Sequence, residues 1–311
     1  MLETLFGEKG KGMENLFISS FRLLGGDEIK SLILSRFIFT ISCHLLFLFS
    51  IFSITYGYHR GLGILLFILL LLIAYPYSFL FHIKKRACQT WVAYGKITNR
   101  PCSVAEAKAV ATTRKWPLRL FAIVELTLAR AQNSENSGGI LQSLVAVALS
   151  ALDGLYDIAE SYLLPAIMIE GIPVTEAADK LRQLKQNVPT TLAGVFGLDI
   201  FGGVISAFLG VIYTVIIVLA ALAAYIMPTH IAPDLVTTVN SNTTPLHLFL
   251  FPLFIAAVLI SLIHASIKIL ITSLKATYFA VFYTAINRPG ELTPETKEKV
   301  MSYLKLDGAA H

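Results

Sequence analysis

The sequence predicts an all-α, polytopic helical membrane protein with about four transmembrane helices plus interfacial or re-entrant helices. Three observations carry that expectation. Four apolar runs, at residues 31–56, 62–81, 203–226 and 246–271, can each supply the ~20 residues a helix needs to cross the hydrocarbon core. Hydrophobic residues make up 55% of the chain and charged residues only 14%, with mean hydropathy +0.69, which is too little charge to clothe a soluble domain of 311 residues. Between residues 84 and 119 there are nine basic residues and a single acid, Glu106, the asymmetry that marks a cytoplasmic loop.

Taken in chain order, residues 1–30 are mixed in charge and hold no apolar core before a small-residue cleavage site. The first apolar run is therefore expected to remain as an anchor. Met13–Leu24 sets Met13, Leu16, Phe17, Phe21 and Leu24 to one side and ends at Gly25 and Gly26. That pattern fits an amphipathic helix, either lying on the inner face of the membrane or packed on the inner end of the bundle. Residues 31–82 form the first transmembrane hairpin, with Arg36 at its inner end and His44 in mid-span. A mid-span histidine either titrates along an ion pathway or sits neutral and hydrogen-bonded to a neighbouring helix.

Residues 83–189 read as a basic cytoplasmic region with membrane-embedded or interfacial helices. Lys84, Lys85, Arg86, Arg114 and Lys115 are candidates for lipid headgroups, at roughly 1 kcal/mol for each charge near an anionic surface. The plain alternative is the ordinary bias that sets topology. Ser103 and Glu106 form a capping box and predict a helix over Val104–Thr113. Trp116–Arg130 sets Trp116, Leu120, Phe121, Ile123 and Leu126 beside Arg119, Glu125 and Arg130, too many charges to span, and is expected at the headgroups.

Residues 139–170 pass from an apolar stretch through Asp153, Asp157 and Glu160 to an apolar stretch interrupted by Pro165. Both flanks carry cytoplasmic charge, so one clean crossing would leave a flank on the wrong side. A re-entrant or bundle-buried segment, or a tight helical hairpin, is expected instead, with a six-span arrangement as the alternative. Thr175 is expected to cap a helix over 176–186, with acids early and bases late, as the helix dipole favours.

Residues 190–288 form the second transmembrane hairpin. Its linker, 227–245, has no Lys or Arg and is read as external, which leaves both termini cytoplasmic. Gly202, Ser206 and Gly210 recur every fourth residue, the small-residue stripe that lets helices approach closely within or between protomers. Thr293 and Pro294 start a cytoplasmic helix in 289–311, since proline suits a first helical position.

Asp153, Asp157 and Glu160 stand at i, i+4 and i+7, hence on one helical face. If that face lines a cavity, these acids form an ion or solute pathway with Asp199 and His44. If it faces the cytoplasm, they are a solvated stripe. Asp199 lies in a glycine-rich approach to the third span, where an ionised carboxylate needs a partner, a cavity or the interface. Cys43, Cys88 and Cys102 form neither an even disulfide framework nor a CxxC pair. No nucleotide-binding, hydrolase or metalloprotease motif occurs, so neither catalysis, nor a cofactor, nor a metal is expected. The basic loop lacks the aromatic interleaving of a nucleic-acid reader, and nucleic acid is not an expected partner.

Tyr162-Leu-Leu-Pro-Ala-Ile-Met-Ile-Glu-Gly171, followed by Ile-Pro-Val-Thr-Glu-Ala-Ala178 and later by Ala276-Thr-Tyr-Phe-Ala-Val-Phe-Tyr283, carries a family resemblance. The block 156–287 resembles uncharacterised prokaryotic multi-pass membrane families related to the membrane region of glycerophosphodiester phosphodiesterases. The resemblance implies an all-helical scaffold in a prokaryotic inner (plasma) membrane, with helices lying on or dipping into the bilayer, and implies no catalysis. Residues before Arg119 have no counterpart in it. The leading expectation is an oligomeric channel or transporter for an ion or small solute, with membrane lipids and further copies of the chain as partners. The rival is a non-transporting scaffold that organises lipids or a partner complex, and an intramembrane lipid enzyme is the third reading.

Overall fold

The computed structural model describes residues 18–55, 59–133, 162–187, 191–226, 236–240, 245–249 and 251–298. A short helix at 18–24 stops at Gly25 and Gly26. The principal helices follow as α1 (Asp27–Thr55), α2 (Arg60–Leu69), α3 (Tyr75–Ile97), α4 (Val104–Thr113), α5 (Lys115–Asn133), α6 (Val174–Asn187), α7 (Thr191–Ile226) and α8 (Phe251–Asn287). Among the described residues, four stretches are long and apolar enough to cross a membrane: Asp27–Ile54, Arg60–Ile97, Ala207–Ile226 and Pro252–Asn287, with windows of mean hydropathy 2.2 to 2.6. The fold is all-α and polytopic, as the apolar runs predict.

Two places depart from the expected outlines. Within 227–271 the expectation was an irregular linker running into a span from Leu246. Instead β1 (Val236–Asn240) pairs antiparallel with β2 (Pro245–Phe249), Val236 opposite Phe249, and the helix begins only at Phe251. The β-branched run Val-Thr-Thr-Val was the unread strand signal. Further upstream, α2 and α3 are continuous through a π-helical turn, Leu70–Ala74. Pro76 accounts for it: the ring has no N–H and would collide with the carbonyl four residues earlier, and a widened turn just before it relieves both.

The chain divides into two compact units, one of residues 1–35, 79–199 and 270–311, the other of 36–78 and 200–269. The second is dressed in hydrocarbon. Leu72, Ile73, Phe208, Val211 and Ile226 are among its many exposed large apolar residues, a surface that suits lipid and not water. At its α1/α2 contact, a Cβ on Gly63 would lie 2.9 Å from the Ser53 Cβ and 3.0 Å from the Ser50 carbonyl oxygen. Small residues at Ser50, Ser53 and Gly63 thus set the approach of these two helices.

The first unit holds a close-packed core of its own. Residues 162–169 and 276–285 are buried on every side, and 86–95 are buried except for half-exposed Trp91. Helices with no exposed face are central elements held by tertiary packing. The Tyr162 and Tyr283 rings meet at 4.9 Å, and Ala87, Ala93, Ala166, Ala280 and Ala285 leave room for neighbours. Thr90, Thr277 and Thr284 are buried because each hydroxyl donates to the carbonyl four residues back. Of the 139–170 segment, residues 162–169 are thus buried in this core; residues 139–161 lie outside the described residues.

Candidate functional site

The membrane-spanning unit carries a polar seam. On α1, Arg36, Thr40 and His44 stand at i, i+4 and i+8, which is one helical face. On α8, Ser261, His264 and Lys268 stand at i, i+3 and i+7, again one face. His44 joins the two. Its Nδ1 lies 2.8 Å from the Thr40 carbonyl oxygen and its Nε2 lies 2.7 Å from Ser261 Oγ. A carbonyl only accepts, so Nδ1 carries a proton. Nε2 and the Ser261 hydroxyl then share the hydrogen bond that joins α1 to α8.

One turn beyond Ser261, the His264 ring stands 6.5 Å from the Tyr213 ring of α7. The buried Tyr213 hydroxyl has no hydrogen-bond partner among the described residues. At the other end of the seam, Arg36 is buried and its guanidinium approaches the Ile269 carbonyl oxygen at 3.5 Å. Ser261, His264 and Lys268 themselves are exposed. Polar and ionisable groups aimed outward from a spanning helix are costly in hydrocarbon and normally face protein or a wet cavity.

The first unit holds two charged clusters. Arg86, on α3, donates to Glu125 of α5 across 2.6 Å, with side chains only 5% and 16% exposed. Arg114 closes the other. Pro165 precedes a π-helical turn, Ala166–Glu170, which ends at Gly171 with φ +77°. The Arg114 guanidinium reaches back to this helix end, donating to the Ile167 carbonyl at 2.9 Å and to the Met168 carbonyl. It also lies over the Trp91 ring, 5.5 Å from its centroid. Carbonyls at a helix C-terminus lack intrahelical partners, and a planar guanidinium supplies them. Burial lowers the Arg114 pKa from its ordinary value, with Arg288 nearby adding to the effect.

Around the same helix end, Lys180 donates to the Glu170 carboxylate, and Asn287 donates to the Tyr162 hydroxyl at 3.1 Å. Tyr94 donates to Glu291, which Arg288 and Arg100 also neutralise. The Tyr162 phenol is pushed up to about 12, chiefly by burial, with the Glu170 charge adding and the Asn287 amide opposing. A raised phenol pKa means the native state holds that proton more tightly than the unfolded chain. Its stabilisation is complete below pH ~10 and is lost as pH rises from there through about 12, amounting to ~2–3 kcal/mol. Unfolding followed against pH in detergent is expected to show this decline in the wild type and a flatter one in Tyr162→Phe; parallel curves would remove Tyr162 from the linkage.

Set against these clusters, the residues singled out in the sequence divide. Asp153, Asp157 and Glu160 lie outside the described residues. Asp199 falls within α7, two turns before the window Ala207–Ile226. Gly202 and Ser206 belong to the same helix, and a Cβ on Gly210 would meet nothing within 4 Å, so no helix among the described residues closes on the stripe there. Lys84 and Lys115 are exposed and Lys85 is half-buried. Arg86 and Arg114 differ from the headgroup expectation. Arg86 is turned into the core to meet Glu125, and Arg114 is spent on backbone carbonyls. Thr175 does not cap α6, which starts two residues earlier than a Thr175 cap would allow, at Val174 directly after Pro173. Ser103 does cap α4, accepting from the Glu106 N–H at 3.1 Å.

The residues missed were Ser261 and His264, although polar side chains at helical spacing inside an apolar run were there to be read. Among the described residues no His, Cys, Asp and Glu are grouped to hold a metal. Fold and seam together define an all-α polytopic membrane protein with ionisable groups built into its spanning helices. No family model, no curated protein and no solved structure matches the chain.

Proposed function

We propose that this membrane protein is a channel or transporter for an ion or small solute, working as an oligomer. The observation that supports this reading best is the polar stripe Ser261, His264 and Lys268, exposed along a spanning helix and joined by His44 from the neighbouring span. Hydrocarbon is a poor medium for such a face, and a second copy laid against it encloses a polar path. Asp199 and the acids Asp153, Asp157 and Glu160 remain candidates for coordinating groups.

The test is flux into proteoliposomes made from the full chain, followed with a pH-sensitive dye and with dyes for common inorganic ions. His44→Ala combined with His264→Ala is expected to reduce flux at least about tenfold, the scale of a ~1.4 kcal/mol change in a barrier, with assembly unchanged. Flux that is absent in the wild type, or unchanged in the double variant, would favour the scaffold reading.

A further inference from the structure

We infer that the first turns of α5 form a docking face for the anionic headgroup layer of the bilayer. Helix α5 has two apolar faces where core packing requires one. Leu118, Phe121 and Ala122 are buried, whereas Trp116, Leu120 and Ile123 are 63%, 55% and 55% exposed. The exposed three stand at i, i+4 and i+7, so they make one stripe. Folding of the first unit does not account for it, since the core already takes the other face.

The rim of the stripe is cationic. Lys115 and Arg119 are exposed, and the Arg119 guanidinium stands 5.0 Å from the centroid of the Trp116 ring. There is no acid between Lys115 and Val124. An indole with a basic collar suits the boundary between phosphates and acyl chains, where the ring's polar N–H stays wet while its body is dry.

Apolar insertion with basic charge is the two-part signal by which helices lie in a membrane surface. A lipid occupant is favoured over a soluble partner because the same chain carries four helices able to span a bilayer. A headgroup surface is therefore present at high effective concentration at all times.

The chain has two tryptophans, so Trp91→Phe leaves Trp116 as the sole reporter in the full-length protein. It is reconstituted in vesicles of phosphatidylcholine with or without phosphatidylglycerol, using lipids brominated at shallow acyl carbons. The expected result is loss of most Trp116 emission to lipid bromine, protection from aqueous iodide, and weaker quenching without phosphatidylglycerol or in Lys115→Glu/Arg119→Glu. Should Trp91→Phe fold poorly, the difference between wild type and Trp116→Phe gives the same signal. Quenching by iodide alone overturns the inference. Shielding from both quenchers does so too and points to a protein covering the face. Equal quenching with and without phosphatidylglycerol overturns the anionic assignment. None of these readings depends on flux.

Discussion

Arg86→Ala is expected to destabilise the protein by about 3–5 kcal/mol, because it strands the Glu125 carboxylate in the core. The guanidinium and carboxylate meet at 2.6 Å, and each was taken from water to do so. Their mutual attraction offsets that desolvation only while both are present. The pair itself is a different matter from its halves. Arg86→Met combined with Glu125→Leu removes both charges and keeps the volume, so most of the loss is expected to return. Both side chains have further interactions, which keeps the recovery partial. Unfolding by titration with SDS, on Arg86→Ala and on the double variant, separates these outcomes. A double variant as unstable as Arg86→Ala would show that the pair is not what the single change breaks.

Gly171→Val is expected to cost about 3 kcal/mol, from two sources that can be told apart. The backbone at φ +77° is open to glycine and strained for a β-branched residue, at ~1–3 kcal/mol. A Cβ at this position would also stand 3.2–3.3 Å from the Arg114 guanidinium, which is held by the Ile167 and Met168 carbonyls, and crowding of that kind costs ~1–3 kcal/mol. Gly171→Asn tolerates the backbone angle and keeps the crowding, so its loss is expected to fall well below that of valine. Arg114→Lys relieves the crowding but surrenders the planar, two-carbonyl grip. If asparagine and valine proved equally damaging in the same unfolding assay, contact with Arg114 rather than backbone strain would dominate.

Much of the local structure was legible because it depends on residues close together in the chain. The capping hydroxyl of Ser103, the break at Gly25 and Gly26 and the start at Pro294 each satisfy or interrupt nearby backbone groups, so a few residues decide them. The same holds for the four spans, which need only length and apolarity. Where local rules failed, a neighbour had been misjudged. Thr175 looked like a cap until Pro173 opened the helix earlier, and Val236–Asn240 looked like linker until β2 offered it a partner.

The candidate site was less legible, and charge shows why. From sequence, Lys84, Arg86 and Arg114 are equivalent members of one basic loop. Their fates diverge because Glu125 stands 39 residues beyond Arg86, and the Ile167 carbonyl 53 beyond Arg114. Likewise His44 was visible as a polar residue in mid-span, but Ser261, 217 residues away, makes it half of a pair. By itself the sequence determined the class of protein, its four apolar helices and several of their ends, since hydrophobic length and backbone capping act over a few residues. Tertiary structure alone decided which charges are buried, which helix end Arg114 closes and which faces meet in the polar seam, since those depend on burial and on partners distant along the chain.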